Sequence, residues 1–268
     1  MMSKFFFYCT LVLYGGATLA YLIYLLRTTP LLATWAHRLI SAGFIAHLLS
    51  TIHRAVLTGQ LPLTSMHESL SFFSLAIVGA FIFFERSYRV AILGSFVTPL
   101  ALLAIIASSA LPDEIRHISP ILRSNWFWGH ALMAFISYAA FTITFATSAM
   151  YLLQEHFLKR KRFGALFRKL PSLEIMDDIS YRCLTIGFPL LTLAIISGAI
   201  WSVQAGGNYW NWADRKQVWS MITWFIYAAL LHGRLTTGWR GRRAALLSIL
   251  GFIVLLITFF GMRHSVTW

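Results

Sequence analysis

Of the 268 residues in this chain, the nine histidines and ten tryptophans are the best equipped for chemistry. The stretch "GGNYWNWADRKQVW" (Gly206 to Trp219) gathers three tryptophans, an aspartate and two cations within fourteen residues. His130 follows "WFWG", and His264 follows "FFGMR". Imidazole nitrogens ligate metals, indole rings offer flat apolar faces, and lysine or arginine neutralises carboxylates. Together they match the needs of a haem: axial ligands for the iron, aromatic surfaces for the macrocycle and cations for the propionates. Arg215, Lys216, Arg123 and Arg263 are the candidate cations, and Trp201, Trp210, Trp212 and Trp219 the candidate faces.

The elements that must position these groups follow from composition. With 58% hydrophobic and 12% charged residues and a mean hydropathy of +0.70, the chain lacks the polar sequence to clothe a soluble globule of its size. It reads as an all-α polytopic membrane protein. Apolar runs of about twenty residues predict eight spans, at roughly 5–26, 35–57, 68–84, 90–110, 126–153, 183–203, 218–233 and 244–262. The third and seventh are short, and the fifth is long enough to protrude or tilt. No repeat and no Gly/Ser-rich or Pro-rich linker divides the chain, so residues 1–268 are expected to form one integral domain, the first span being retained.

Alternating loops place fifteen of the 22 Lys and Arg residues on one side, including "KRKR" at 159–162 and Arg234, Arg240, Arg242 and Arg243. The positive-inside rule makes that side cytoplasmic and puts both termini outside. The basic run is read as a solvated, orienting loop that meets anionic lipid, not as a nucleic-acid site. The loop at about 203–218 then faces the outer compartment, and seven of the ten tryptophans fall on that side. An aromatic belt would mark both interfaces, whereas only Trp35 and Trp239 mark the inner one. His130 and His264 share the tryptophan side.

His47 lies mid-span, where a histidine is either hydrogen bonded to a neighbouring helix or a ligand. His53, His67 and Glu68 lie near the outer ends of spans two and three, and His117 and His156 in loops. Cys9 and Cys183 form no Cys-x-x-Cys, which argues against a thiol reductase. No Walker loop and no Cys-x-x-Cys-His are present, and no general acid or base is evident, so catalytic residues are not assigned. A transporter gated by the outer loop would show paired interrupted helices and internal pseudo-symmetry, which this chain does not.

The segment "GGNYWNWADRKQVWSMITWFIYAALLHGRLTTGWRGRRAAL", with "GHALMAFISYAAF" around His130 and "LPLTSMHESLSFF" ahead of span three, resembles the tryptophan-rich WWD signature and flanking helices of the CcsA/ResC family of cytochrome c biogenesis proteins. The resemblance covers most of residues 60–268. It implies the membrane component of a system II cytochrome c synthetase, working with a ResB/Ccs1-type partner on apocytochrome c bearing Cys-x-x-Cys-His. By the same resemblance, haem b passes in transit, and His130 and His264 are the axial ligands of an external haem. Trp210, Trp212, Asp214 and Trp219 form the signature surface, and His232 serves a second, intramembrane haem. The setting implied is the bacterial inner membrane, or a thylakoid membrane. Haem-independent HemX-like relatives are the competing expectation.

Three departures stand out. Gly206 occupies the position of the family's first signature tryptophan, Ala213 splits the usual Trp-Asp pair, and Arg215 replaces a proline.

Overall fold

The computed structural model describes residues 2–27, 29–113 and 124–261, and within them every regular element is helical. In chain order these are α1 (Met2–Leu26), α2 (Pro30–Thr58), α3 (Met66–Tyr88), α4 (Gly94–Ser109), α5 (Asn125–Lys159), α6 (Ala165–Lys169), α7 (Leu173–Gln204), α8 (Arg215–Thr236) and α9 (Arg242–Leu256). A 3-10 turn, Ala91–Leu93, precedes α4, and a π turn, Ile257–Gly261, follows α9.

Each expected span corresponds to a long helix. Seven, counting those two turns with α4 and α9, have the length and hydropathy of a membrane span. The chain is an integral membrane protein. α8 falls short because Arg215, Lys216, Gln217, His232 and Arg234 dilute its apolar run. α7 begins ten residues earlier than expected, at a start set by Ser172, whose hydroxyl accepts from the Ile175 N–H. At 35 residues α5 is about 52 Å long.

The described contacts fall into two compact units, one of residues 1–123 with 157–171, the other of 124–156 with 172–268. In the first, α1 packs against α2 and α4, and α3 against α4 and α2. Small residues let backbones approach, the usual basis of helix association in lipid. A Cβ at Gly43 would lie 2.7 Å from the Tyr14 ring, and one at Gly94 2.6 Å from Tyr21. Both tyrosines are thereby fully buried. Ser65 and Glu68 form a capping box at the start of α3, and the Glu68 carboxylate also accepts from Arg54 Nε at 2.8 Å. Glu68 therefore has a structural use. Lys169 of α6 donates to the carbonyls of Leu25 and Leu26 at 2.9 and 2.8 Å, closing the C-terminal end of α1.

In the second unit, α5, α7, α8 and α9 enclose a core of Phe141, Leu184, Leu191, Tyr227, Phe252 and Leu255, among others. Phe141 stacks on Tyr227 at 3.6 Å and 5°, with Gly187 and Gly251 leaving room for the two rings. At one end of α8, Arg234 pairs with Asp177 at 2.7 Å, and Trp239 seats against Gly233. At the other end lies the tryptophan loop.

Candidate functional site

A cavity of about 700 Å³ opens in the second unit where α5 and α7 meet the loop before α8. His130, one turn into α5, lines it. Its Nδ1 lies 2.6 Å from the Ala194 carbonyl of α7. A carbonyl only accepts, so Nδ1 carries the proton and Nε2 keeps its lone pair, the tautomer a metal-ligating imidazole requires. Gly198, one turn beyond Ala194, makes the seat. A Cβ there would stand 2.7 Å from His130 Nδ1, so any larger residue would push the ring away. Ala194 and Gly198 were not singled out in the sequence, although "ISGAIW" set one helical turn before the tryptophan loop was a readable signal.

The loop brings the second set of groups. α7 ends at Gln204 and the chain turns through Gly206, whose φ of +81° lies in the left-handed region. A tryptophan there would be strained. The departure from the signature at Gly206 thus follows from the turn this loop makes. Ser202 Oγ donates to the Asn208 carbonyl at 2.8 Å and ties the loop back to α7. Ala213, the inserted residue, is exposed, and its N–H donates to Asn211 Oδ1 at 2.9 Å. Ala213 therefore sits in an Asx-type turn that leads directly into the cap of α8.

Asp214 is 3% exposed and caps α8, its Oδ1 accepting from the N–H groups of Lys216 at 2.8 Å and Gln217 at 3.4 Å. A carboxylate at a helix N-terminus also meets the favourable end of the macrodipole.

Trp201, Trp210, Asp214 and Lys216 line the cavity together with His130. Trp210 Nε1 is buried without a hydrogen-bond partner among the described residues, and the Lys216 ammonium, drawn electrostatically toward Asp214, lines the same cavity. A buried N–H left unpaired costs about 1–3 kcal/mol. The cavity therefore holds one nitrogen lone pair, one unpaired donor, one cation and two indole faces. These groups fit a planar, metal-bearing, carboxylate-bearing ligand.

The other expected residues lie elsewhere. Trp212 is 78% exposed and meets Trp210 edge to face at 5.5 Å, outside the cavity lining. Trp219 is half-buried in the first turns of α8 and is likewise not part of the lining. His232 is exposed near the opposite end of α8, sixteen residues from Lys216 and so about 24 Å along the helix. His264, Arg123 and Arg263 lie outside the described residues. Arg215 is exposed and absent from the lining, so Lys216 is the cation at this cavity among the described residues.

A model of the cytochrome c assembly protein family matches residues 35–267. The cytochrome c biogenesis protein CcsA of Guillardia theta is 34% identical over 240 residues, covering 80% of this chain and 79% of that protein. CcsA of Synechococcus sp. (strain CC9902) is 34% identical over 287 residues, covering 92% of this chain and 94% of its own. Among solved structures, the cytochrome c haem lyase CcmF superposes with a TM-score of 0.72 at 15% identity over 98% of this chain. That likeness shows a shared fold, and this chain spans about half the length of that protein, 47%. By the family match and the CcsA relatives, this chain belongs to the cytochrome c assembly protein family and acts in cytochrome c biogenesis.

Proposed function

We propose that the cavity of the second unit binds haem b, with His130 Nε2 as one axial ligand and His264 as the other, and presents it to apocytochrome c at the outer face of the membrane. The observation that carries this reading is the His130 tautomer. Its Nδ1–H is held by Ala194, which leaves Nε2 as a donor in a cavity that also contains Lys216 and the unpaired Trp210 N–H.

Haem, when bound, supplies vinyl groups to which the thiols of a Cys-x-x-Cys-His segment add as thioethers. The residues of this chain bind and orient. Ala194 and Gly198 fix the imidazole plane, Trp210 and Trp201 cover the macrocycle, and Lys216 neutralises a propionate. Asp214 holds the loop and α8 in register. Rate enhancement then comes from positioning two reactants that would otherwise meet by diffusion. The exposure of His232 supports a second, intramembrane haem whose remaining ligand comes from a ResB/Ccs1-type partner. The asymmetry of Lys and Arg supports an outward-facing tryptophan loop in a bacterial inner membrane or a thylakoid membrane.

The test is the reduced-minus-oxidised absorption spectrum of the detergent-purified chain coexpressed with such a partner. A b-type spectrum lost in His130→Ala and partly restored by added imidazole is expected. Retention of the full wild-type spectrum in His130→Ala would overturn the assignment.

A further inference from the structure

The haem reading uses the second unit and leaves unexplained a line of buried polar groups in the first. The buried residues of α1 are Thr10, Tyr14, Ala17, Thr18 and Tyr21, so the helix turns four hydroxyls inward. Its lipid-exposed side carries Phe5, Val12, Leu19 and Ile23. Hydroxyls buried between helices in lipid need hydrogen-bond partners.

Two hydrogen-bonded stations stand on that face. At the first, His47 of α2 is fully buried, with Nε2 2.9 Å from Ser71 Oγ and Nδ1 3.3 Å from the Tyr14 hydroxyl. Ser71 lines a cavity of about 560 Å³ whose wall also carries Lys4, Arg54, His67, Glu68 and Asp113. At the second station, the Tyr21 hydroxyl donates to Glu85 Oε1 at 2.8 Å, and His37 Nδ1 lies 2.6 Å from Glu85 Oε2. The His37 side chain is 29% exposed, so this station opens at the other end of the unit. From His37 to Arg54 the α2 axis runs seventeen residues, about 25 Å, comparable with a hydrocarbon core of about 30 Å.

The stations are separated by the seven residues from Tyr14 to Tyr21, about 10 Å of helix. Within that interval the Thr18 hydroxyl is buried without a partner, and so is Ser41 Oγ on α2, between His37 and His47 in sequence. A network whose only task is to hold helices together gains by closing on itself, and half-satisfied networks are costly. Here His47, Tyr14, Tyr21, Glu85 and His37 are paired within their stations, Arg54 Nη2 at the cavity wall is unpaired, and the interval between the stations holds the unpaired Thr18 and Ser41 hydroxyls, where a buried water with two or more polar partners would complete the line.

We propose that the first unit is a transmembrane proton pathway running from the cavity at Ser71 through His47 and Tyr14, across water held by the Thr18 and Ser41 hydroxyls, to Tyr21, Glu85 and His37. Each group accepts a proton on one side as it releases one on the other and then reorients. Only N–H and O–H bonds are made and broken, and no electron moves. One proton leaves one aqueous face and one appears at the other. Intramembrane Glu and His residues placed in series are the usual material of such relays. The groups facing Glu85 are Tyr21, His37 and the neighbouring Arg86, and none of them closes the route to His37.

The experiment uses the purified full chain in sealed phosphatidylcholine vesicles containing a trapped pH-sensitive dye, with a potassium diffusion potential imposed by valinomycin. The wild-type chain is expected to change internal pH faster than protein-free vesicles, and more slowly in D2O. Thr18→Val, which removes a hydroxyl at nearly constant volume, and Glu85→Gln are both expected to return the rate to the protein-free value. His130→Ala is expected to conduct as wild type, which separates this pathway from the haem site. A wild-type rate equal to that of protein-free vesicles overturns the proposal, and so does a Thr18→Val chain that conducts undiminished. Should Glu85→Gln fail to elute as a folded species, the Thr18→Val rate decides.

Discussion

His47 and His130 both lie in long apolar helices, one in each unit, His47 fully buried and His130 half-buried, and they differ in how their ring nitrogens are paired. His47 has a partner for each ring nitrogen, Tyr14 and Ser71. His130 has one, the Ala194 carbonyl, and its second nitrogen belongs to a cavity. An imidazole with both nitrogens paired is part of a hydrogen-bonded line. An imidazole with one nitrogen fixed and the other left over is a donor awaiting an acceptor from outside the chain. The surroundings repeat the contrast. Polar groups in the first unit mostly face one another, as in Arg54 with Glu68 and Asp113, or Tyr21 and His37 with Glu85. In the second, the Trp210 N–H is unpaired at a cavity that Lys216 also lines.

The comparison breaks most directly if the two histidines behave alike. His130→Ala is expected to abolish the b-type absorption of the purified chain, whereas His47→Ala is expected to leave its band positions unchanged; equal loss in both would make the distinction empty. Next in size is Gly198→Val, which drives a methyl group into the His130 ring. Haem titration by Soret absorbance should show affinity weakened about ten-fold, equivalent to about 1.4 kcal/mol, with folding intact by size exclusion.

Removing the cap of α8 by Asp214→Ala should destabilise the chain by about 1 kcal/mol, read as a lower thermal midpoint in detergent, while Asp214→Asn should retain most of it. In the first unit, burial opposes ionisation of Asp113, but Arg54 and Lys4 more than offset it and hold the carboxyl below its ordinary value. A depressed folded-state pKa contributes stability that is fully present above the ordinary carboxylate value of 3.8 and is lost as pH falls through the depressed one. Thermal midpoints between pH 7 and pH 3 should therefore fall less steeply in Asp113→Asn than in the wild type. The smallest effect belongs to Trp212→Ala. Its ring is mostly exposed and only edges Trp210, so haem affinity should change by less than about 0.5 kcal/mol.

Much of this was legible in the chain. Seven of the eight long helices announce themselves by length and hydropathy, because a bilayer imposes both and single sequences display them openly. The exception, α8, is instructive, since its polar residues lower the hydropathy at both ends where the tryptophan loop and the Arg234–Asp177 pair are built. His130, Trp201, Trp210 and Asp214 were recognisable as residue types concentrated at one interface, and the family resemblance singled out His130, Trp210 and Asp214 among them. The resemblance also grouped Trp212 and Trp219 with this surface, and neither lines the cavity. A turn disperses neighbouring side chains to different faces, and only the path through Gly206 and Ala213 determines which indole enters the cavity.

The sequence by itself determined the class of the molecule, the number of its long helices and its membership in the cytochrome c assembly family, all of which depend on composition and local pattern. Tertiary structure decided the rest: that Ala194 fixes the tautomer of a histidine 64 residues away, that Gly198 makes the seat for its ring, and that Tyr14 and Tyr21 carry two separate stations on one helix face. Each of these depends on which backbone atom of one helix meets which side chain of another. That registry is set by close packing between helices, and no window of the sequence contains both partners.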